Sequence, residues 1–565
     1  MYSNETNYWF RRSRSRRQVL AGFGAAAIGG SVAALAGCGG GSSSNSASPT
    51  SAGTPPGSST PQTSPTSLVT ARRGGTFTTP NQFVQADFFD VHQTNSSGVQ
   101  ALAQYTHDGL FLIDEAQEGD FQIKPMVVAS WEQPDPLTLV LKLRQDVKFA
   151  NIPPVNGRKL TSKDVVFNLN RIATKDPRFI RQSWFQDVDH YETPDDYTVR
   201  IVTKKPSAAL LFLLAHPWTL LVSPEQVDQD GAQLKSLVGS GPYILKSIQI
   251  GTQADMHRNP DYWMQGKPYI DSWKWVNIAD TASRMAAFRG NQLDYTDVPQ
   301  DVLTKFRGEN ADAKEIHVGT VGILLIGFNV RKAPYNDVRV RQAIANAVDI
   351  DGWIQVILAG DGRRTGPMSA AFRQWALPKE KLLYPKQDIK AAKDLLKAAG
   401  LENGFTLKTF SISSLPNWFN EAVQMKEDLK QVNINVEIEQ VTIADYVRRL
   451  FGTHEFDVVN GADFASEDPA NLMDRYMTGG SANWSGYSNK QVDDLFAQQS
   501  VQLDYNARRA TVDQLQQVMM QDVASHFVMI QGGHYFHHPN IQNFRLSPMN
   551  GTAERWDARE AFFSA

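Results

Sequence analysis

The chain holds a single cysteine, Cys38, among its 565 residues. No intrachain disulfide can form, so the fold must rest on an apolar core. The place of that cysteine also limits where folding can begin. Ahead of it, Arg11, Arg12, Arg14, Arg16 and Arg17 make a basic start, and Val19 to Ala36 then runs without a charge. A basic n-region, an apolar h-region and small residues at a cut are the layout of a secretory signal. The 18-residue run carries only six bulky side chains, diluted by seven alanines and four glycines, which suits a signal better than a membrane span.

Two local patterns refine this. The segment "SRRQVL", Ser15 to Leu20, is similar to a twin-arginine export signal. Val19 stands where such signals prefer Phe and the later Lys is missing, so Sec export stays open. Leu35-Ala36-Gly37-Cys38 resembles a bacterial lipobox at all four positions. That resemblance implies cleavage after residue 37 and a diacylglycerol thioether on Cys38, an attachment to the lipid bilayer. The 32 residues Gly39 to Thr70 hold no charge and no aromatic ring. A stretch of this composition buries too little apolar area to offset its ordering entropy, so residues 38–71 are expected to be a disordered tether.

From Arg72 onward about 490 residues remain, too many for one core, so two or three lobes are expected. Residues 1–37 take away five arginines and one glutamate, leaving 51 Lys and Arg against 58 Asp and Glu, a net charge of −7. A mildly acidic, unpatterned surface argues against nucleic acid as partner. Period-2 alternation predicts strands at Leu137–Leu143, Tyr197–Ile201 and Ile434–Ile438. "DIKAAKDLLKAAG" predicts a helix with Asp388 as N-cap and Gly400 as stop, and "DVRVRQAIANAVDID" one from Asp337 to near Asp349. No G-x-S-x-G, H-E-x-x-H, P-loop or cysteine pair occurs, so no catalytic residue, metal ligand or cofactor is assigned. His534 to His538, "HYFHH", read as loop residues near the C-terminus rather than as ligands, with no carboxylate at helical spacing beside them.

Ten segments in order carry a resemblance that spacing alone does not. Among them are "THDGLFLID" (Thr106–Asp114), "NGRKLTSKDVVFNLNRI" (Asn156–Ile172) and "VGSGPYILK" (Val238–Lys246). "RNPDYWMQGKPYID" (Arg258–Asp271), "GFNVRKAPYNDVRVRQAIANAVD" (Gly327–Asp349) and "NWSGYSNKQVDDL" (Asn483–Leu495) continue the series. Together they resemble the family 5 extracellular solute-binding proteins of ATP-driven importers, the peptide and nickel binding group. Tyr243, Tyr262 and Trp263 in these segments read as core and corner packing.

The resemblance implies an α/β, two-lobe clamshell of periplasmic-binding-protein type (type II-like) with an additional inserted domain. Lobe I would comprise residues 72–105, 239–325 and 526–565, the inserted domain 106–238 and lobe II 326–525. The hinges would be Gly327, Phe328 and Asn329 on one crossing and Met529, Ile530 and Gln531 on the other, with Gly532 and Gly533 adjoining. In peptide-binding relatives a lobe II carboxylate pairs with the ligand's α-ammonium, and the matching stretch "NGADFASEDPANL" puts Asp463 there. Its alternative is a strand-end or N-cap aspartate. Four residues separate Asp463 from Asp468-Pro469, where the family has about two. Trp418, where a Ser/Pro-rich loop enters a helix, is a stacking candidate or a helix-start staple, and Trp375 and Trp484 are candidates of the same kind. The implied protein is no enzyme. It is a monomeric, lipid-anchored receptor at the outer face of the cytoplasmic membrane that delivers a small solute to a permease and ATPase complex. A short peptide is the first ligand class, then an oligosaccharide, then a metal chelate. A secreted hydrolase or an envelope sensor is the reading from a different class.

Overall fold

The computed structural model describes residues 71–80, 89–94, 96–117, 120–230, 234–464, 467–546 and 558–564. The signal, the lipobox and the tether lie outside the described residues. Among the described residues no helix is long and apolar enough to cross a membrane.

Near the start of the described chain, Thr76–Pro80 pairs in parallel with Ser272–Val276, which continues antiparallel to Gln253–Arg258 and Tyr243–Gln249. Phe77, Tyr105, Tyr243, Trp273 and Trp275 form its core, and Phe544 and Phe563 from the far end of the chain close it. These residues fall within the segments expected for lobe I, and their core is discontinuous in sequence. A second core, Leu110 to Val238, belongs to a separate antiparallel sheet of Val128–Asp135, Thr138–Leu143, Thr198–Thr203 and Val188–Asp195. Leu139, Leu141 and Leu143 are buried, but Leu137 lies in the turn before the strand and is exposed. Thr138 and Val140 are buried as well, so the strand is covered on both faces over most of its length.

The largest sheet joins both lobes. Its order is Tyr295–Val298, Ser525–His537, Lys314–Phe328, Val458–Phe464, Thr406–Ile412 and Asn435–Val441, with Gly362–Arg364 beside Ser525–His537. Successive side chains of Lys314–Phe328 feed two different cores. Ile323 and Leu325 pack with Phe410 and Phe527, while Leu324, Ile326 and Phe328 pack with Leu407 and Met529. A strand buried on both faces reads as a continuous apolar run, as "ILLIGF" does. The helices Val338–Ala347 and Ile389–Ala398 flank it, capped by Asp337 on Arg339 N and Asp388 on Ala391 N.

Lys314–Phe328 and Ser525–His537 pass between the lobes without interruption, but their pairing is irregular at one place. Gly319 faces Gly532 and Ile323 faces Ile530, so three residues on one strand oppose Gln531 alone on the other. Such a bulge bends a ladder. Gly327 and Phe328 do not lie there. They pair regularly with Val459 and Val458 inside lobe II, and Asn329 donates to the carbonyls of His454 and Phe456. Position 327 is glycine for a different reason: a Cβ there would overlap the Trp484 indole. Met529 and Ile530 are likewise held in lobe II, opposite Arg364 and Arg363, and only Gln531 of the expected hinge residues falls at the bulge. The inserted domain touches lobe II directly. Ala208 N donates to Ser500 O at 2.8 Å, and Phe121 lies against Phe372 with ring centroids 5.1 Å apart.

Candidate ligand-binding site

Asp463 is the penultimate residue of the Val458–Phe464 strand, opposite Ile323 beside the bulge. Its carboxylate is buried and already engaged. Arg475 forms an ion pair with Oδ1, and Tyr476 donates its hydroxyl to Oδ2 at 2.9 Å. Both partners come from the short helix Met473–Tyr476, twelve and thirteen residues on. Burial and the Asp463 charge push the Tyr476 phenol well above its ordinary range, so it stays a donor. Arg475 keeps a quarter of its side chain exposed. Neither residue was legible as a partner in the sequence, because no local motif ties a strand end to a helix twelve residues later.

Trp418 enters the first turn of the helix Pro416–Leu429, where Pro416 supplies a favourable first position. The indole is half-buried, tilted 53° against Tyr446 at 5.7 Å, and lies over Gly461, two residues before Asp463. The neighbouring Asn417 donates to Gln531 Oε1 at 2.7 Å, tying this helix start to the bulge. Behind the same strand Asn460 donates to Glu421 at 3.2 Å, and burial drives the Glu421 carboxyl well above the carboxylate range.

Trp375 and Trp484 are not at this place. Trp375 is fully buried, with the Arg508 guanidinium 4.9 Å from its ring centroid. Trp484 is buried between Phe456 and Gly327. A ligand cannot stack on either ring, and their role is packing in lobe II. Asp468, the second carboxylate of the same sequence stretch, also faces inward. It caps Ala470 N at 2.9 Å and takes a bidentate pair from Arg508 at 2.6 and 2.9 Å, both side chains wholly buried.

The aromatic pair of "RNPDYW" has a polar task. Tyr262 and Trp263 donate to Asp108 at 3.2 and 2.8 Å, and Arg559 stands 3.4 Å from it. Asp108 and Arg559 border a cavity of about 410 Å³, together with His107, Lys124 and Lys267. His534, expected in a loop, sits instead on the Ser525–His537 strand, opposite His317. Carboxylate, guanidinium and half-buried indole at Asp463, Arg475 and Trp418 make a group suited to holding a charged solute by ion pairs and stacking.

Residues 122–484 match the family model of bacterial extracellular solute-binding proteins, family 5. The glutathione-binding protein GsiB of Escherichia coli (strain K12) is 25% identical over 496 residues, covering 83% of this chain and 91% of that protein. Two solved structures share the fold. The periplasmic binding protein DppA from Helicobacter pylori, in complex with the peptide STSA, superposes with a TM-score of 0.71 at 22% identity, covering 87% of this chain and 99% of that one. The oligopeptide-binding protein AppA from Bacillus subtilis, in complex with a nonapeptide, gives 0.70 at 21% identity, covering 88% and 100%.

Proposed function

The chain belongs to family 5 of the bacterial extracellular solute-binding proteins, and on that premise we propose that it captures a short peptide between its lobes and delivers it to a membrane permease. The work is binding and release, with no covalent step. The observation that carries the peptide reading is the paired charge at Asp463 and Arg475, two residues along the strand from Gly461 and the half-buried Trp418 indole over it. A peptide presents an ammonium, a carboxylate and a side chain, and these three groups complement it. An ionised carboxylate has about four acceptor sites, and Arg475 and Tyr476 engage only part of that capacity. The ligand ammonium shares Asp463 with Arg475. Glutathione and the peptides bound by the relatives are molecules of this class.

The lobes close about the bulge at Gly319–Ile323 and Gln531–Gly533, where the ladder is already loosened and glycines lie opposite one another. The mature protein is exported through the twin-arginine route, begins at acylated Cys38 and works as a monomer at the outer face of the cytoplasmic membrane.

Native mass spectrometry of the purified protein identifies a retained peptide, and calorimetry then compares wild type with Asp463→Asn. Truncating one partner of a buried charge pair costs roughly 2–5 kcal/mol, about 30- to 5,000-fold in affinity. The asparagine also leaves Arg475 unneutralised beside the ammonium. N-acetylated peptide binds wild type weakly and loses little more in the variant. A loss below about fivefold removes Asp463 from the ammonium role. A neutral oligosaccharide stacked on Trp418 predicts that smaller loss, at most one hydrogen bond of about 0.5–1.5 kcal/mol.

A further inference from the structure

We propose that His317, Asp361 and His534 form a binding site for a divalent transition-metal ion, of the Zn²⁺ or Ni²⁺ class, at the crossing between the lobes. One ligand atom from each lies within 4.8 Å of the others. The two histidines face each other across the Lys314–Phe328 and Ser525–His537 strands, their rings stacked with centroids 4.6 Å apart at 17°. Both turn Nε2 to one carboxylate: His317 to Asp361 Oδ1 at 2.9 Å and His534 to Asp361 Oδ2 at 2.6 Å. Two imidazole nitrogens and a carboxylate are the donor set of borderline transition metals, whereas Mg²⁺ and Ca²⁺ take oxygen ligands. The ion takes the Nε2 lone pairs, so any proton shared between a ring and Asp361 is displaced.

The surroundings are built for a ligand rather than for a surface ion pair. His534 is nearly buried, and its other nitrogen, Nδ1, meets Glu315 Oε1 at 2.7 Å. Glu315 is itself gripped by Arg307 through two hydrogen bonds of 2.8 and 2.7 Å. A carboxylate on the far nitrogen is what orients a metal-binding histidine and commits its Nε2 to the ion. Gly532 completes the arrangement. A Cβ there would overlap Asp361 Oδ2 and crowd His317 Nε2, and its N–H donates to the Asp361 carbonyl at 3.0 Å. His317 remains about half exposed, so an ion enters from solvent and keeps one position for water.

The ligands come from both sides of the bulge. His317 and His534 stand on the lobe I side of the register break, where His534 also faces Val298. Asp361 follows the lobe II helix Ile350–Leu358 and leads into Gly362–Arg364. An ion held by all three fastens lobe II to the lobe I ladder at the pivot. The site is separate from Asp463, so it stands or falls apart from the peptide reading.

The test titrates the purified mature protein, stripped with a chelator, with ZnSO₄ and with MgCl₂ by calorimetry. Wild type binds one Zn²⁺ per chain and far less Mg²⁺. His317→Ala, which removes an exposed ring and leaves the core intact, weakens Zn²⁺ at least about tenfold, and Glu315→Gln weakens it about 10- to 100-fold. Saturating Zn²⁺ raises the wild-type melting temperature through its preference for the folded chain, and His317→Ala loses that rise. Absence of stoichiometric Zn²⁺ binding, equal affinity for Mg²⁺, or unchanged Zn²⁺ affinity in His317→Ala overturns the proposal.

Discussion

Arg508→Met places a heavy load on the core around Trp375 and Asp468. The Arg508 guanidinium is wholly buried in the helix Tyr505–Asp522 and holds Asp468 by two hydrogen bonds of 2.6 and 2.9 Å. It also donates to Gln499 at 3.0 Å and reaches the Ala208 carbonyl of the inserted domain at 3.4 Å. Methionine fills most of the volume beside Trp375 but leaves Asp468 as an uncompensated buried charge. Removing one member of such a pair costs about 3–5 kcal/mol, whereas replacing both members is often close to neutral. Asp468→Asn keeps an acceptor for the Ala470 cap, so the double variant Asp468→Asn/Arg508→Met recovers much of the loss. Urea unfolding followed by tryptophan fluorescence reads this as a lowered midpoint at unchanged slope. A shift worth under about 1 kcal/mol in Arg508→Met, or strict additivity in the double variant, would refute the reasoning, because coupled neighbours must deviate from additivity by at least about 0.5 kcal/mol.

Two further outcomes are expected. Burial holds His92, His107 and His526 at about 3, 4 and 3 against an ordinary 6.5, so the unfolded chain takes up protons first as the pH falls. Their contribution is complete above pH 6.5 and is lost on the way down to about 3–4, each costing roughly 2 kcal/mol at pH 5; His526→Leu should reduce that acid sensitivity in urea midpoints measured at pH 7.5 and 5. Cys38→Ala should abolish lipidation and leave uncleaved precursor, and intact mass spectrometry showing no acyl chains on wild-type Cys38 would end the anchoring proposal.

What the sequence made legible was local. Asp388 and Asp337 cap the helices their spacing announces, and Leu139, Leu141 and Leu143 turn inward together. Cap and period are written within a few residues, so one chain suffices to read them. The break in pairing between the two long strands was not local. "GILLIGF" shows an apolar run and two glycines but gives no sign that the break in pairing lies at Gly319–Ile323 rather than at Gly327. Trp375 and Trp484 are buried, which their sequence setting did not show. An indole in a loop or helix start reads alike whether it is half-buried, as Trp418 is, or packed on an inner guanidinium, as Trp375 is. His317, Asp361 and His534 are drawn from three distant segments, so their meeting belongs to topology alone.

The stretch from Asp463 to Asp468 shows how one sequence motif divides into two devices. Asp468 with Pro469 starts a helical turn and locks Arg508 inside lobe II, a task fixed by the core around it. Asp463 lies one residue before the end of a strand next to the bulge and is held by Arg475 and Tyr476, which lie beyond Asp468 in the chain. Nothing requires the two carboxylates to touch each other. Residues inserted between them lengthen a connection, which costs little in closure entropy, and leave both anchors in place. The four-residue spacing is therefore compatible with an Asp463 that still meets a ligand charge. On the reading proposed above, the Arg475 partnership rather than the spacing would set how tightly that charge is held.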